Sequence, residues 1–269
     1  MKKNKNLAFL FGENWKKFLN NIGEERIKES ESNLLYNLDK ESFSGLSFID
    51  VGSGSGLSSL AAHNLGADVT SFDVDQHSVD CTKDVKEKFA QKKGFWQIEN
   101  GSVLDKVYIS SLGKFDIVYS WGVLHHTGDM WQALSNLLIL TKSGSEVYIA
   151  LYNQQGMSSK VWWRIKKLYC VSPKVIQHIL VLFSFIRLWI PTTIKDILKG
   201  QPFNTWRSYK KNRGMHPWRD VVDWVGGFPF EVSTPEEVFN FFKENGFELL
   251  KLRTCGGGHG CNEFVFRKN

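Results

Sequence analysis

The stretch FIDVGSGSGLSSLAAHNLGADVTSFDVD, residues 48–75, decides how the chain is read. It opens on the short run Phe48, Ile49, Asp50 and Val51, then sets Gly52, Gly54 and Gly56 two residues apart. The run reads as a buried strand, LSSLAAHNLG as a helix stopped by Gly66, and ADVTSFDVD as a second strand. A strand that leads through a glycine turn into a helix aims free backbone N–H groups at a ligand. The dinucleotide fingerprint G-x-G-x-x-G carries its third glycine in the helix, whereas the spacing here is G-x-G-x-G. Asp50 precedes the first glycine by two residues. Its carboxylate offers a pyrophosphate nothing, but suits a ligand carrying an ammonium and a sulfonium. Asp73 closes the second strand about twenty residues beyond the glycines, where the acceptor for a ribose diol belongs. A nicotinamide nucleotide is the competing cofactor, and the glycine spacing counts against it.

Outward from this stretch the alternation continues. HSVDCTKDVKEKFAQKKG is a helix ending at Gly94, FWQIENGS and FDIVYSWGVL are strands, MWQALSNLLILTKSG is an amphipathic helix, and SEVYIALYN is a fifth strand. Strands separated by helices predict an α/β fold, a doubly wound and mostly parallel sheet. From Gln154 to about Phe230 the sequence is helix-like, basic and aromatic, with no clear strand. STPEEVFNFFKENGF then predicts a helix capped by Ser233 or Thr234, with Pro235 in its first turn. FELLKLRTC and NEFVFRK are two strands, antiparallel because the loop GGGHG between them is short. Residues 7–40 read as helical, with apolar positions Phe18, Leu19, Ile22, Leu34, Leu35 and Leu38. The expected organisation is an N-terminal helical cap (1–44), a cofactor-binding core (45–153), a helical insertion (154–230) and the C-terminal part of the core (231–269).

Composition bounds the function classes. No stretch reaches the eighteen or more uncharged apolar residues of a membrane span. The start MKKNKNLAFLFGENW has no small-residue cleavage site, so a signal peptide is not expected. Cys81, Cys170, Cys255 and Cys261 form no CxxC pair, which argues against zinc and against a disulfide framework and fits a cytoplasmic location. The net charge of +6 is uneven: Gln155–Asp220 holds 13 Lys and Arg against 2 Asp and Glu, and the remainder 21 against 26. The basic block also carries Trp162, Trp163, Trp189, Trp206 and Trp218.

IDVGSGSG, VTSFDVD, NGSVLD and FDIVYSWGVLHHTGD together resemble the consecutive motifs of class I S-adenosylmethionine-dependent methyltransferases, and GFELLKLRT…NEFVFRK resembles the closing antiparallel pair of that fold. The resemblance implies a seven-stranded sheet in the order 3-2-1-4-5-7-6. It implies S-adenosylmethionine as cofactor, S-adenosylhomocysteine as product, and no metal. Gly52, Ser53, Gly54 and Gly56 would pack against the methionine and ribose, Asp50 would face the amino group, and Asp73, with Val74 beside it, would take the ribose hydroxyls. Ser102 stands where family members often carry an acidic residue for the adenine amino group. The Val103 amide and Asp105 are then the substitutes, and the Ser120–Trp121 turn would close over the methionyl end. RGM…DWVGG.PFE and GCNEFVF resemble a bacterial subgroup with an insertion after strand 5, some of whose members act on surface-glycan or other small-metabolite building blocks.

Ligands of an open parallel sheet bind outside the carboxyl ends of its strands. The glycine turn, SWGVLHHTGD, the end of strand 5 with Tyr152 and Asn153, and RTCGGGHGCN with His259 and Asn262 converge there. Methyl transfer needs an aligned nucleophile and, for a hydroxyl, a base. His125 and His126 follow strand 4 and are the candidate bases, with His259 behind them; one of the adjacent pair is expected to turn inward. SWGV stands in place of Asn-Pro-Pro-Tyr, which disfavours methylation of base amino groups; oxygen methylation is the economical choice, and nitrogen methylation stays open.

The insertion has three functional readings. As a substrate lid, Arg207, Arg213, His216, Trp218 and Trp224 would recognise a phosphorylated or nucleotide-linked small molecule, a sugar or sugar nucleotide first. As a membrane contact, VIQHILVLFSFIRLWIP would lie in the interface as an amphipathic helix and serve a lipid-linked or quinone acceptor. RNA comes third, since no RNA-binding module is visible. Against all three stands burial of the apolar run in the insertion's own core or on a second subunit. A non-catalytic cofactor-binding module is the alternative from another class. Oligomeric state is left open.

Overall fold

The computed structural model describes residues 23–91, 94–213, 217–256, 258 and 260–269, and for 210–213 the backbone alone. These residues fall into two compact units, 23–155 with 231–269, and 156–230.

The first unit is built on a seven-stranded sheet in the order β3-β2-β1-β4-β5-β7-β6. In chain order its elements are α1 (Glu24–Leu38), β1 (Ser47–Val51), α2 (Leu57–Asn64), β2 (Asp68–Asp73), α3 (Gln76–Phe89), β3 (Trp96–Asn100), α4 (Lys106–Ser111), β4 (Phe115–Trp121), a single 3-10 turn (Leu124–His126), α5 (Met130–Ile139) and β5 (Thr141–Tyr152). The remaining elements of this unit come after the insertion. β1 lies between β2 and β4 in parallel register, with Phe48 opposite both Val69 and Ile117. Its residues Phe48, Ile49 and Val51 are fully buried, as befits a central strand covered on both faces.

Helix starts follow local chemistry. Asp75 caps α3 by accepting the His77 amide, and Asp105 caps α4 by accepting the amides of Val107 and Tyr108. The rest of this unit is formed by α10 (Pro235–Glu244), β6 (Phe247–Arg253) and β7 (Cys261–Lys268). Thr234 and Glu237 form a reciprocal capping box at the start of α10, with Pro235 in the first turn. β7 runs antiparallel to both β5 and β6, so the short glycine loop does reverse the chain. Phe242 of α10 stacks on Phe266 of β7 at 4.2 Å. Of the helix expected over 7–40, α1 is the described part; Phe18, Leu19 and Ile22 lie outside the described residues.

The second unit consists, among the described residues, of α6 (Met157–Val171), α7 (Lys174–Leu198), α8 (Asn204–Arg213) and α9 (Pro217–Gly226). Its core is aromatic. Trp189 of α7 lies 4.4 Å from Trp206 and 4.8 Å from Tyr209, ring centre to ring centre. A second cluster joins Trp162 to Trp224 at 5.4 Å and encloses the Lys166 amine, 4.2 Å from the Trp224 ring and 4.8 Å from that of Phe230. Lys166 is fully buried and donates to the Trp224 carbonyl.

Candidate functional site

The glycine turn is drawn against β2 and β4. Gly52 and Ser53 both donate their amides to the Phe72 carbonyl, at 2.9 and 3.1 Å. Gly52, Gly54 and Gly56 all take positive φ, at 83°, 54° and 77°. At two of them a side chain is also excluded by neighbours. A Cβ on Gly52 would stand 2.7 Å from Cγ2 of Val123, and one on Gly56 would stand 2.9 Å from Thr82 of α3. Gly52 and Gly56 thus make room for Val123 and Thr82, a packing demand the sequence did not announce. Ser53 is also turned inward, its hydroxyl 3.1 Å from that of Thr82.

Asp73 meets the turn from β2. Its Oδ2 accepts the Gly54 amide at 3.0 Å and its Oδ1 the Asp75 amide at 2.9 Å, one bond per oxygen. Burial raises its pKa, and the amides of Asp75 and Gly54 counter that. The carboxylate is half-buried at the strand end, and Val74 beside it is 71% exposed. Asn100, at the end of β3, donates to the carbonyls of Asp73 and Val74 and fixes this corner.

Asp50 differs from its expected placement. It is 1% exposed, and Ser59 of α2 donates to its Oδ2 at 2.5 Å. Behind Ser59 the chain of donors continues through Ser71 to the Trp96 indole, each step 2.8 Å. The carboxylate is therefore enclosed beneath the turn and does not face a cofactor at the rim. Burial raises its pKa to about 7, opposed by the Ser59 bond and reinforced by the charge of Asp73. Ser120 is enclosed as well, its hydroxyl donating to the Val51 carbonyl, while Trp121 is 46% exposed.

The residues expected at the adenine also make contacts within the fold. Asp105 spends Oδ1 on the α4 cap, the Ser102 hydroxyl accepts the Leu104 amide, and the buried Val103 gives its carbonyl to Asn136. Tyr108 fills the space beside Gly101 and donates to Glu99 at 2.7 Å.

Val123, which touches the glycine turn, leads directly into the 3-10 turn that carries both histidines. The pair divides. His125 is fully buried, its Nδ1 accepts the Tyr152 amide at 3.3 Å, and its carbonyl accepts the Glu231 amide at 2.9 Å. The Tyr152 ring lies 3.8 Å from the His125 ring and 5.4 Å, edge-on, from that of His126. His125 therefore turns inward and positions the turn, which corrects its reading as a base. His126 is half-buried. Glu231 was not foreseen in the sequence. Its carboxylate holds the Met130 amide at the start of α5, and burial raises its pKa.

Residues 49–147 match the model of the methyltransferase domain. The chain carries a methyltransferase domain with the class I fold. Three solved structures of that fold illustrate the likeness. The magnesium protoporphyrin IX methyltransferase from Synechocystis PCC 6803 with bound S-adenosylhomocysteine is 14% identical, with a TM-score of 0.55 over 90% of this chain and 83% of that one. A SAM-dependent methyltransferase from Anabaena variabilis ATCC 29413 is 13% identical, with a TM-score of 0.54 over 100% and 98%. An O-methyltransferase family protein from Burkholderia thailandensis is 11% identical, with a TM-score of 0.53 over 90% and 57%. No curated protein matches the chain.

Other residues expected to meet substrate are used by the methyltransferase domain to close its own loops. Asn262 is 1% exposed, donates to the Asn153 side chain at 3.0 Å and accepts the Cys255 amide at 3.1 Å. Asn153 in turn donates to the Gly256 carbonyl. This amide pair ties the end of β5 to the β6–β7 loop, so neither residue is an open substrate contact. In the 156–230 unit, Trp218 packs on Phe185 at 5.4 Å and Trp224 on Trp162, and both stay half-buried. Arg207 is exposed. The Arg213 side chain, His216 and His259 lie outside the described residues. Among the described residues no three His, Cys, Asp or Glu side chains group to hold a metal ion.

Proposed function

We propose that this methyltransferase domain takes its methyl group from S-adenosylmethionine and delivers it to a hydroxyl oxygen of a small polar acceptor such as a sugar or sugar nucleotide, with His126 as general base. The observation that carries this reading is the contact between the two turns. Val123 seats the His126 turn on the Gly52 turn, and Asp73 binds the same loop through Gly54. The surface offered at this rim fits the cofactor in part. Asp73 keeps lone pairs on both oxygens for a ribose diol, Val74 offers an exposed apolar side chain for the adenine face, and Trp121 a ring for the methionyl end. Asp50 and Ser120 would support that surface from beneath. When bound, S-adenosylmethionine supplies a methyl on a sulfonium leaving group. The chain's share is to hold the acceptor oxygen in line, to exclude water and to receive the hydroxyl proton on the His126 imidazole. The half-buried Tyr152 beside His126 is the group placed to orient that ring.

A polar acceptor suits a rim whose described groups are a histidine, a tyrosine and a carboxylate. A second reading, a lipid-linked or quinone acceptor, is favoured by the exposed apolar side chains of α7. The test is release of S-adenosylhomocysteine from sugar nucleotides, phosphorylated metabolites and detergent-dispersed lipid acceptors. His126→Gln should lower turnover by about 10²- to 10⁴-fold and leave S-adenosylmethionine binding intact. His125→Ala should instead lower the melting temperature. If His126→Gln turns over like the parent, His126 is not the base.

A further inference from the structure

We propose that the 156–230 unit docks on anionic lipid bilayers, with α7 lying along the membrane interface. This does not rest on the methyl-transfer reading. The sequence placed an uncharged run only from Val175 to Ile186, but the helix continues to Leu198 through Pro191, 25 residues in all. By length and composition alone it could cross a membrane, and only 17% of its most apolar window is buried.

Its exposed side chains are ordered. Val175, Ile179, Phe183, Ile186, Ile190 and Ile194 follow one another at steps of three or four residues and are 71, 59, 66, 45, 50 and 51% exposed. That spacing sets them on one face of the helix. The opposite face is the one that folds the unit. Val181, Ser184, Trp189 and Asp196 are buried, and Asp196 accepts the amide and hydroxyl of Thr205 at 2.8 Å each. A helix with a packed face bearing a bonded carboxylate and an apolar outer face fits the interfacial class, and a spanning helix would be apolar all round.

Charge selects the occupant. Residues 156–230 hold thirteen Lys and Arg against three Asp. Lys174, Arg187 and Lys195 are exposed along α7 and Lys199 just past its end, whereas Asp196 is buried and Asp220 accepts the Tyr209 hydroxyl. A second copy joined two-fold through this stripe would set that positive charge against itself. Anionic lipid complements both features: headgroups meet the basic residues and the acyl boundary meets the apolar stripe.

The experiment is flotation of the full chain with vesicles of phosphatidylcholine alone and of phosphatidylcholine with about one third phosphatidylglycerol. The parent should float with the anionic vesicles and be released as salt rises. Ile179→Ser with Phe183→Ser and Ile190→Ser should cut partitioning by more than about tenfold. Arg187→Gln with Lys195→Gln and Lys199→Gln should cut it by about a hundredfold on anionic vesicles only. All six positions are solvent-facing, and an unchanged circular dichroism spectrum checks that the variants fold. Absence of the parent from the floated fraction at low salt overturns the proposal. So does a dimer in light scattering that the triple serine variant converts to a monomer, since the stripe is then covered by a second copy.

Discussion

Replacing Asp50 by Asn tests the buried network beneath the glycine turn. The Asp50 carboxylate is 1% exposed, and its pKa is raised from 3.8 to about 7, chiefly by burial. Below the lower value both folded and unfolded chains hold this proton. As pH rises from there to about 7, the unfolded chain releases it and the folded chain retains it. The folded state then binds more protons, so stability falls through that window. Roughly three pKa units at about 1.4 kcal/mol each make the ionised group a cost of about 4 kcal/mol above pH 7. Asparagine keeps an acceptor for the Ser59 hydroxyl and carries no charge. Urea unfolding of both proteins from pH 4 to pH 8 isolates this group with its coupling to Asp73, because the other titrations cancel in the difference. The difference should move by about 4 kcal/mol in favour of Asp50→Asn as pH rises. A flat difference, or one that moves in favour of the parent, refutes the reasoning, for then the ionised carboxylate is stabilised where it sits.

Gly52→Ala combines a φ of 83° with a Cβ placed 2.7 Å from Val123, and should cost about 1–3 kcal/mol in thermal or urea unfolding; an unchanged melting temperature contradicts the packing described. Lys166 works in the opposite sense to Asp50. Burial lowers its pKa from 10.5 to about 7, so between these values the folded chain has lost a proton that the unfolded chain keeps. Stability therefore rises with pH over that range, and Lys166→Met should abolish this rise when melts are followed by tryptophan fluorescence.

Much of the sheet was legible because its signals are local. Strand, glycine turn and helix follow one another within residues 48–75, and the seven strands pair in the expected order. The start of α10 was legible for the same reason, with Ser233 or Thr234 as cap and Pro235 in the first turn, and the structure selects Thr234. Contacts distant in sequence were not. Asp50 reads as a rim carboxylate because nothing in IDVGSGSG says that Ser59, nine residues on and across the helix start, reaches back to it. Glu231 stands 101 residues from Met130, and no spacing rule joins them. His125 and His126 are indistinguishable in sequence. The Glu231 amide, which donates to the His125 carbonyl, and the Tyr152 amide, which donates to its Nδ1, belong to the contacts that separate them. Trp218 and Trp224 sit among arginines, and no spacing rule announces that they also pack on Phe185 and Trp162.

Isothermal titration with S-adenosylmethionine and NAD in parallel tests the central claim most directly, run on the parent and on Asp73→Ala. The account predicts one S-adenosylmethionine bound per chain, no heat from NAD, and an affinity lower by about a hundredfold once the Asp73 carboxylate is gone. Binding of NAD with none of S-adenosylmethionine, or S-adenosylmethionine binding indifferent to Asp73, contradicts it.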